Sequence, residues 1–272
     1  VILEELTIDV PSGARRRAEQ AVLALGAQGL EVLELGEGRA GVRVWLPAGA
    51  VAQAARRALR RTLGEATVTS RRVEATWMPR ARPRRVGRFV IASEPPKRPI
   101  AGRVVLTLDA TTTFGDGTHP TTALAIEAVT RALEHRCVES VLDVGTGTGV
   151  LALVAAHLGA REVIATDVDP LARAAARANV ARNGLADRVA VRTALPRRRF
   201  ELVMANLYRD VLLELAPALA ARVAPGGVLV VSGFAPASND AVQARFEAEG
   251  LTRIDRRTRR GWSALTLERR PR

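Results

Sequence analysis

The chain has 272 residues, 47% hydrophobic and 25% charged, an ordinary globular composition with length enough for two modest domains. A single cysteine, Cys137, excludes an intrachain disulfide and any multi-cysteine metal site, and the three scattered histidines (119, 135 and 157) give no metal spacing. No run is long and apolar enough to span a membrane and no signal peptide is recognisable, so a cytoplasmic protein without a bound metal is expected.

Leu3–Val10 reads as a strand. Gly13–Leu25 reads as a helix with Ala18, Ala21, Val22 and Leu25 on one face, closed by Gly26. Leu30–Leu35 and Ala40–Leu46 are strands joined by a Gly-Glu-Gly turn, a hairpin signal. Ala50–Leu63 is a second helix ended by Gly64, and Ala66–Arg72 a fourth strand. The order βαββαβ is the ferredoxin-like pattern. No catalytic constellation falls inside it, so residues 1–72 suit a small α+β domain that presents a partner. Proline and arginine then accumulate in residues 73–99, which reads as a linker with one short strand at Arg88–Ala92. Arg103–Leu108 is a further strand leading into a loop.

From Thr121 helices and strands alternate. Helix Thr121–Leu133 precedes strand Val141–Val144. Further strands fall at Val163–Thr166, Val189–Arg192, Leu202–Ala205 and Val228–Ser232, mostly separated by helices at Leu171–Arg182, Arg209–Arg222 and Asn239–Glu249. Leu251–Asp255 and Trp262–Glu268 follow each other without a helix, an antiparallel ending. The pattern predicts an α/β domain over residues 100–272 with a Rossmann-like, doubly wound, mostly parallel sheet. Ligands in such sheets sit beyond the carboxyl ends of the strands.

The most informative stretch is Val141-Leu142-Asp143-Val144-Gly145-Thr146-Gly147-Thr148-Gly149. A buried strand closes on an acid, and three glycines at every second position let the chain turn sharply and let a ligand lie on bare backbone. A dinucleotide fingerprint needs its third glycine one position later, where Val150 stands, and has no need of Asp143. The spacing favours S-adenosylmethionine, with Asp143, Gly145 and Gly147 at its site. One strand later comes Asp167-Val168-Asp169-Pro170. Asp167 is placed to accept both ribose hydroxyls of an adenosine, and Asp169 before Pro170 reads as a helix N-cap.

The segment Thr113-Phe114-Gly115-Asp116-Gly117-Thr118-His119-Pro120-Thr121-Thr122 is the most individual part of the chain. It reads either as a capped turn or as a lid whose backbone at Phe114 and Gly115 approaches the cofactor. Phe114–Thr122, together with Val141–Gly149, Asp167–Pro170 and Ala205-Asn206-Leu207-Tyr208, resembles the PrmA family, bacterial lysine methyltransferases that modify a ribosomal protein. The resemblance spans nearly the whole chain. It implies that Thr122, Gly145, Asp167 and Asn206 contact S-adenosylmethionine, that residues 1–72 recognise the ribosomal protein, and that the linker lets that domain swing to offer different amino groups. Asp116 stands where the family usually has threonine, Asp109–Thr113 replaces a usual proline-glycine-methionine-alanine stretch, and the tryptophan-rich entry to the linker is reduced to Trp77.

Methyl transfer from a sulfonium leaves a neutral group behind, so holding an uncharged amine in line is the main task. Asn206, with Leu207 and Tyr208, sits where the amine would be oriented. Asp116 could attract a cationic substrate. His119 is a candidate for taking the amine proton, with a loop-structuring hydrogen bond as the alternative. The expected activity is methylation of lysine ε-amines or an N-terminal α-amine of a ribosomal protein, with S-adenosylhomocysteine as product. A methyltransferase for a small-molecule amine, another protein or RNA is the alternative, and a cofactor-binding protein without turnover a third reading. The net charge of +13 raises direct nucleic-acid binding, but Lys97 is the only lysine and aromatics are 3%, so the arginines at 80–88, 197–199 and 253–260 read first as solvated surface.

Overall fold

The structure, a computed structural model, describes residues 2–25, 31–74, 83–96, 98, 100–108, 119–134 and 136–271. The first elements are β1 (Ile2–Pro11), α1 (Arg15–Ala24), β2 (Glu31–Gly36), β3 (Arg39–Pro47), α2 (Ala50–Leu63) and β4 (Thr67–Glu74). The four strands form one antiparallel sheet in the order β2-β3-β1-β4. Alternation places Leu6, Ile8 and Val10 of β1 and Val42, Val44 and Leu46 of β3 on one buried face, against Ala18 and Val22 of α1 and Val51, Ala55 and Leu59 of α2.

Strands β5 (Arg84–Val86), β6 (Phe89–Ala92) and β7 (Val104–Thr107) make a three-stranded sheet, β6 pairing parallel with β7. Two strands thus occupy the segment where the sequence suggested one. Val86, Phe89 and Ile91 join the same apolar core as Leu106.

The rest of the chain is the larger unit: α3 (Pro120–Glu134), β8 (Ser140–Val144), α4 (Val150–His157), β9 (Glu162–Thr166), α5 (Pro170–Arg182), β10 (Val189–Arg192), β11 (Phe200–Asn206), α6 (Arg209–Ala221), β12 (Val223–Phe234), α7 (Asn239–Glu247), β13 (Leu251–Arg259) and β14 (Trp262–Arg269). The seven strands run β10-β9-β8-β11-β12-β14-β13, the first five parallel and β14 antiparallel to both its neighbours. The order reverses between β8 and β11, and the crevice at that switch point is where ligands of doubly wound sheets bind. Helices α3 and α4 pack one face through Ile126, Val129, Leu151 and Val154; α6 and α7 pack the other through Leu212, Leu219, Val242 and Phe246.

Two local devices hold these helices. Pro217 inside α6 has no N–H to give the Leu213 carbonyl, and Arg245 of α7 donates its Nε to that carbonyl at 3.3 Å instead. At the end of α5, Asn183 donates Nδ2 to the Thr107 carbonyl at 2.8 Å and accepts from Thr107 N at 2.9 Å, meeting the β7 backbone as a neighbouring strand would. Among the described residues no helix is long and apolar enough to cross a membrane, and no group of three His, Cys, Asp or Glu side chains is placed to hold a metal ion.

Candidate functional site

The carboxyl ends of β8, β9 and β11 open on a cavity of about 670 Å³. Its floor is the glycine loop. Gly145, Gly147 and Gly149 all take positive φ (+70°, +55° and +85°), the left-handed region that glycine occupies without strain. Gly145 N and Thr146 N both donate to the Thr166 carbonyl, at 2.9 and 3.0 Å, stapling the loop to the end of β9. A Cβ on Gly145 would overlap the Leu207 side chain, and one on Gly149 would press on Ala176 of α5. Asn179 of α5, fully buried, donates Nδ2 to the Thr148 carbonyl at 2.9 Å and fixes the loop from beneath.

Asp143 ends β8 behind this loop, 1% exposed, and forms no part of the cavity wall. Its Oδ2 accepts from Thr146 Oγ1 at 2.6 Å, while Oδ1 has no partner. Burial pushes its pKa up to about 7; the Thr146 hydrogen bond opposes that rise and the nearby Asp167 carboxylate adds to it.

Asp167 stands on the wall, half-buried. Its Oδ2 accepts from Gly147 N at 3.0 Å and its Oδ1 from Asp169 N at 3.0 Å. Each oxygen keeps lone-pair capacity beyond these bonds. Asp169 caps α5, accepting from Leu171 N at 2.8 Å with Pro170 in the first turn, the arrangement its sequence announces. Val168, between the two acids, is 87% exposed at the cavity edge, an apolar side chain left facing open space.

The other end of the cavity is built by α3, β11, β12 and β14. Thr121, on the wall and buried, shares a 2.7 Å hydrogen bond with His119 Nδ1 and accepts from Asn206 Nδ2 at 3.4 Å. The His119 ring meets Trp262 edge-on, centroids 4.7 Å apart. Asn206 Oδ1 is buried without a hydrogen-bond partner. Thr122 lies one step behind Thr121, buried, off the wall, its hydroxyl also unpartnered. Leu207 and Tyr208 line the cavity, Tyr208 being 74% exposed. Gly233 (φ +105°) lets β12 run against the Leu207 backbone, where a Cβ would overlap the carbonyl.

Of the residues singled out in the sequence, Gly145, Gly147, Asp167, Asn206, His119, Leu207 and Tyr208 come together around one cavity, with Asp143 and Thr122 buried behind its walls. Phe114, Gly115 and Asp116 lie outside the described residues. Sequence reasoning missed Trp262, Gly233, Thr193 and Leu195, which also line it. Gly233 directly follows the Val228–Ser232 strand, and a glycine at a strand's carboxyl end was the available signal.

This site can take a cationic adenosyl ligand. Glycine backbone clears its floor, a carboxylate stands at the second strand tip, and Asn206, whose Oδ1 has no partner, lines its wall. Strand order, glycine loop and acidic strand tip together define a class I methyltransferase fold, and the protein is an S-adenosylmethionine-dependent methyltransferase. A family model described as "Ribosomal protein L11 methyltransferase (PrmA)" matches residues 50–270. The chain is 41% identical over 209 residues to the ribosomal protein L11 methyltransferase of Geobacter metallireducens, covering 74% of this chain and 69% of that protein. It is 36% identical over 196 residues to that of Brucella melitensis, covering 69% of each. The crystal structure of a ribosomal protein L11 methylase from Lactobacillus delbrueckii subsp. bulgaricus superposes with TM-score 0.62 at 28% identity, over 68% of this chain and 96% of that one. The chain therefore belongs to the ribosomal protein L11 methyltransferase (PrmA) family.

Proposed function

We propose that this protein transfers methyl groups from S-adenosylmethionine to amines of a ribosomal protein of the L11 type, at lysine ε-amino groups or the N-terminal α-amine. Its relatives are ribosomal protein L11 methyltransferases, which supports the acceptor. The observation that carries the cofactor half is the Asp167 carboxylate, held by Gly147 N and Asp169 N at the lip of a glycine-floored cavity.

When bound, the cofactor supplies an electrophilic methyl group whose departure leaves a neutral thioether. Asp167 would accept the ribose hydroxyls, while Val168 and Leu195 offer apolar surface to the adenine. The backbone at Gly145 and Gly147 would lie against the amino-acid portion, with Asp143 and Thr122 supporting the loop and α3 from behind. Phe114 and Gly115, in the segment before His119, would close over the cofactor. On the acceptor side, Asn206 Oδ1 and the Leu207–Tyr208 backbone orient the amine. A lysine amine has a reference pKa near 10.4 and must lose its proton before attack. The apolar wall of Leu207, Val211, Leu215 and Trp262 favours its neutral form. His119 is a candidate to take that proton, but its Nδ1 is engaged by Thr121, so proton transfer would have to run through Nε2.

In this reading residues 1–72, with the ferredoxin-like order, recognise the acceptor. Residues 73–99 link the two units, with β5 and β6 packed on the larger one, and residues 100–272 carry the chemistry in the cytoplasm. Incubating the protein with purified L11 and isotopically labelled cofactor tests this by mass spectrometry. Label on lysine or the N-terminal amine supports it; label appearing only on RNA or a small amine, or on nothing while the cofactor binds, overturns it.

A further inference from the structure

The arginine run at 253–260, unused by the catalytic site, falls on one feature of the fold. β13 ends the seven-stranded sheet, and its outer edge pairs with no other described strand. Along β13 only Leu251 is buried. Residues 253–260 carry five arginines and one acid. The register shifts between Arg253 and Asp255. Beyond the shift, Asp255 and Arg259 turn toward α3, Asp255 standing 3.7 Å from Arg131 Nε and Arg259 pairing with Glu127 at 2.6 Å. Arg256 turns the other way, 3.4 Å from Asp240. Arg253 and Arg260 have no partner among the described residues.

Charge on an edge strand keeps sheets from pairing edge to edge. The positive charge here also extends off the strand. A groove of about 330 Å³ between β13 and α3 is lined by Arg131, Arg136, Ile254, Asp255 and Arg257. Arg136 is held by Glu268 and Arg257 by Asp255, whereas Arg131 Nε and Nη2 are buried without any hydrogen bond. The three arginines of the groove face two acids, Asp255 and Glu268, so one positive charge is left over. Arg253 and Arg256 lie opposite Leu267 and Leu265 of β14, and Arg257 and Arg259 opposite Ala264 and Trp262, so the guanidinium groups line the edge of β13 as a row that serves both faces of the sheet. A row suits a repeating line of phosphates better than one small anion, and guanidinium is the side chain best matched to phosphate oxygens.

We propose that the β13 edge, with the groove beside α3, binds the sugar–phosphate backbone of RNA. Charge complementarity carries the polyanion; the choice of RNA rests on the ribosomal acceptor proposed above. The run holds no aromatic side chain for base stacking, so binding is backbone-directed and tolerant of sequence.

The test measures binding of a fluorescent single-stranded RNA to the full chain across a salt series. The strip variant R253Q/R256Q/R257Q/R260Q is compared with R16Q/R57Q/R61Q/R72Q, which removes equal charge from exposed arginines of the N-terminal unit. The strip variant should lose more than about tenfold in affinity at low salt, and its log–log salt slope should fall by about 3, at roughly 0.7 per lost contact. The control should keep nearly the parental slope. R253Q/R260Q, whose parent side chains make no hydrogen bond or ion pair among the described residues, should lower the slope about half as much and guards against misfolding of the fourfold variant. No RNA binding by the parent, equal losses in strip and control, or competition by polyglutamate as strong as by RNA overturns the proposal. Methyl transfer to isolated L11, run alongside, reports the acceptor reading separately: transfer without RNA binding removes only the strip.

Discussion

Replacing Asp167 with asparagine changes almost nothing in shape and removes one acceptor and one charge. In the parent, one oxygen takes the Gly147 N–H and the other the Asp169 N–H, both at 3.0 Å. Asparagine has one acceptor oxygen, so its amide nitrogen must face one of these donors or swing away. A hydrogen bond to a charged group contributes about 1.5–3 kcal/mol, and the site is half-buried, so the free protein should lose about 1–2 kcal/mol of stability. Binding suffers further. The ribose hydroxyls meet a neutral acceptor where a carboxylate stood, at a cost of about 1 kcal/mol each, and the loop they approach is looser. A combined loss of about 2–4 kcal/mol is a 30- to 1000-fold weaker Kd for S-adenosylhomocysteine, roughly, by titration calorimetry.

Asp169 supplies the internal control. It accepts a single capping bond from Leu171 N, and asparagine caps a helix about as well as aspartate. D169N should bind within about threefold of the parent and melt beside it. If D167N also stays within about threefold, or D169N falls as far as D167N, the carboxylate at residue 167 is not the grip on the ribose and the account of this site is wrong.

Asp143 gives a pH signature. Its folded pKa of about 7 lies above the ordinary carboxylate value, so the folded state holds a proton that the unfolded chain releases. Its protonated form costs nothing below about pH 4; stability then falls as pH rises toward 7, by at most about 4 kcal/mol. D143N should flatten urea midpoints between pH 5 and 8 relative to the parent, and equal pH slopes would refute the assignment. Gly233→Ala would drive a Cβ into the Leu207 backbone, which cannot yield, and should cost about 3 kcal/mol or more. Gly145→Ala meets only the far end of the Leu207 side chain and adds left-handed strain of about 1–2 kcal/mol; denaturant midpoints in the reverse order would contradict the geometry. Asp116→Asn should raise KM for the protein acceptor and leave cofactor affinity nearly unchanged in steady-state and calorimetric assays. Equal loss of both would remove Asp116 as an acceptor contact.

The parallel core was legible because strands covered on both faces read as short apolar runs, as at Val163–Ala165 and Val228–Val231. The glycine loop was legible because bare backbone leaves a composition that nothing else requires. What escaped lacked either signal. β5 is Arg-Arg-Val, with two exposed arginines and one buried valine, and it exists because β6 offers it an edge. β13 runs to Arg259, well past the apolar start at Leu251, because an outermost strand needs backbone pairing with β14 on one side only and tolerates charge throughout. Trp262 reads as the start of a strand. Its place beside His119 depends on β14 turning back antiparallel next to β12, a contact between residues more than a hundred positions apart.

Among the described residues, the N-terminal unit meets the larger one chiefly at α5. Leu171, Ala174 and Ala175 of α5 belong to the same apolar cluster as Val51, Ala55 and Leu59 of α2, and Leu25, just past α1, reaches the cavity wall. The α5 surface in that contact is mostly alanine, which removes little apolar area from water, so shedding it costs far less than parting leucines would. Yet α5 is the helix whose first turn is capped by Asp169 and whose Asn179 holds the glycine loop. On the proposed function, a light seat on a firmly anchored helix would let the N-terminal unit shift with its acceptor while the Asp169 cap and the Asn179–Thr148 bond hold α5 and the glycine loop in place. The opposite distribution, with large side chains between the units and a loosely held α5, would pass every movement of the N-terminal unit on to the glycine loop.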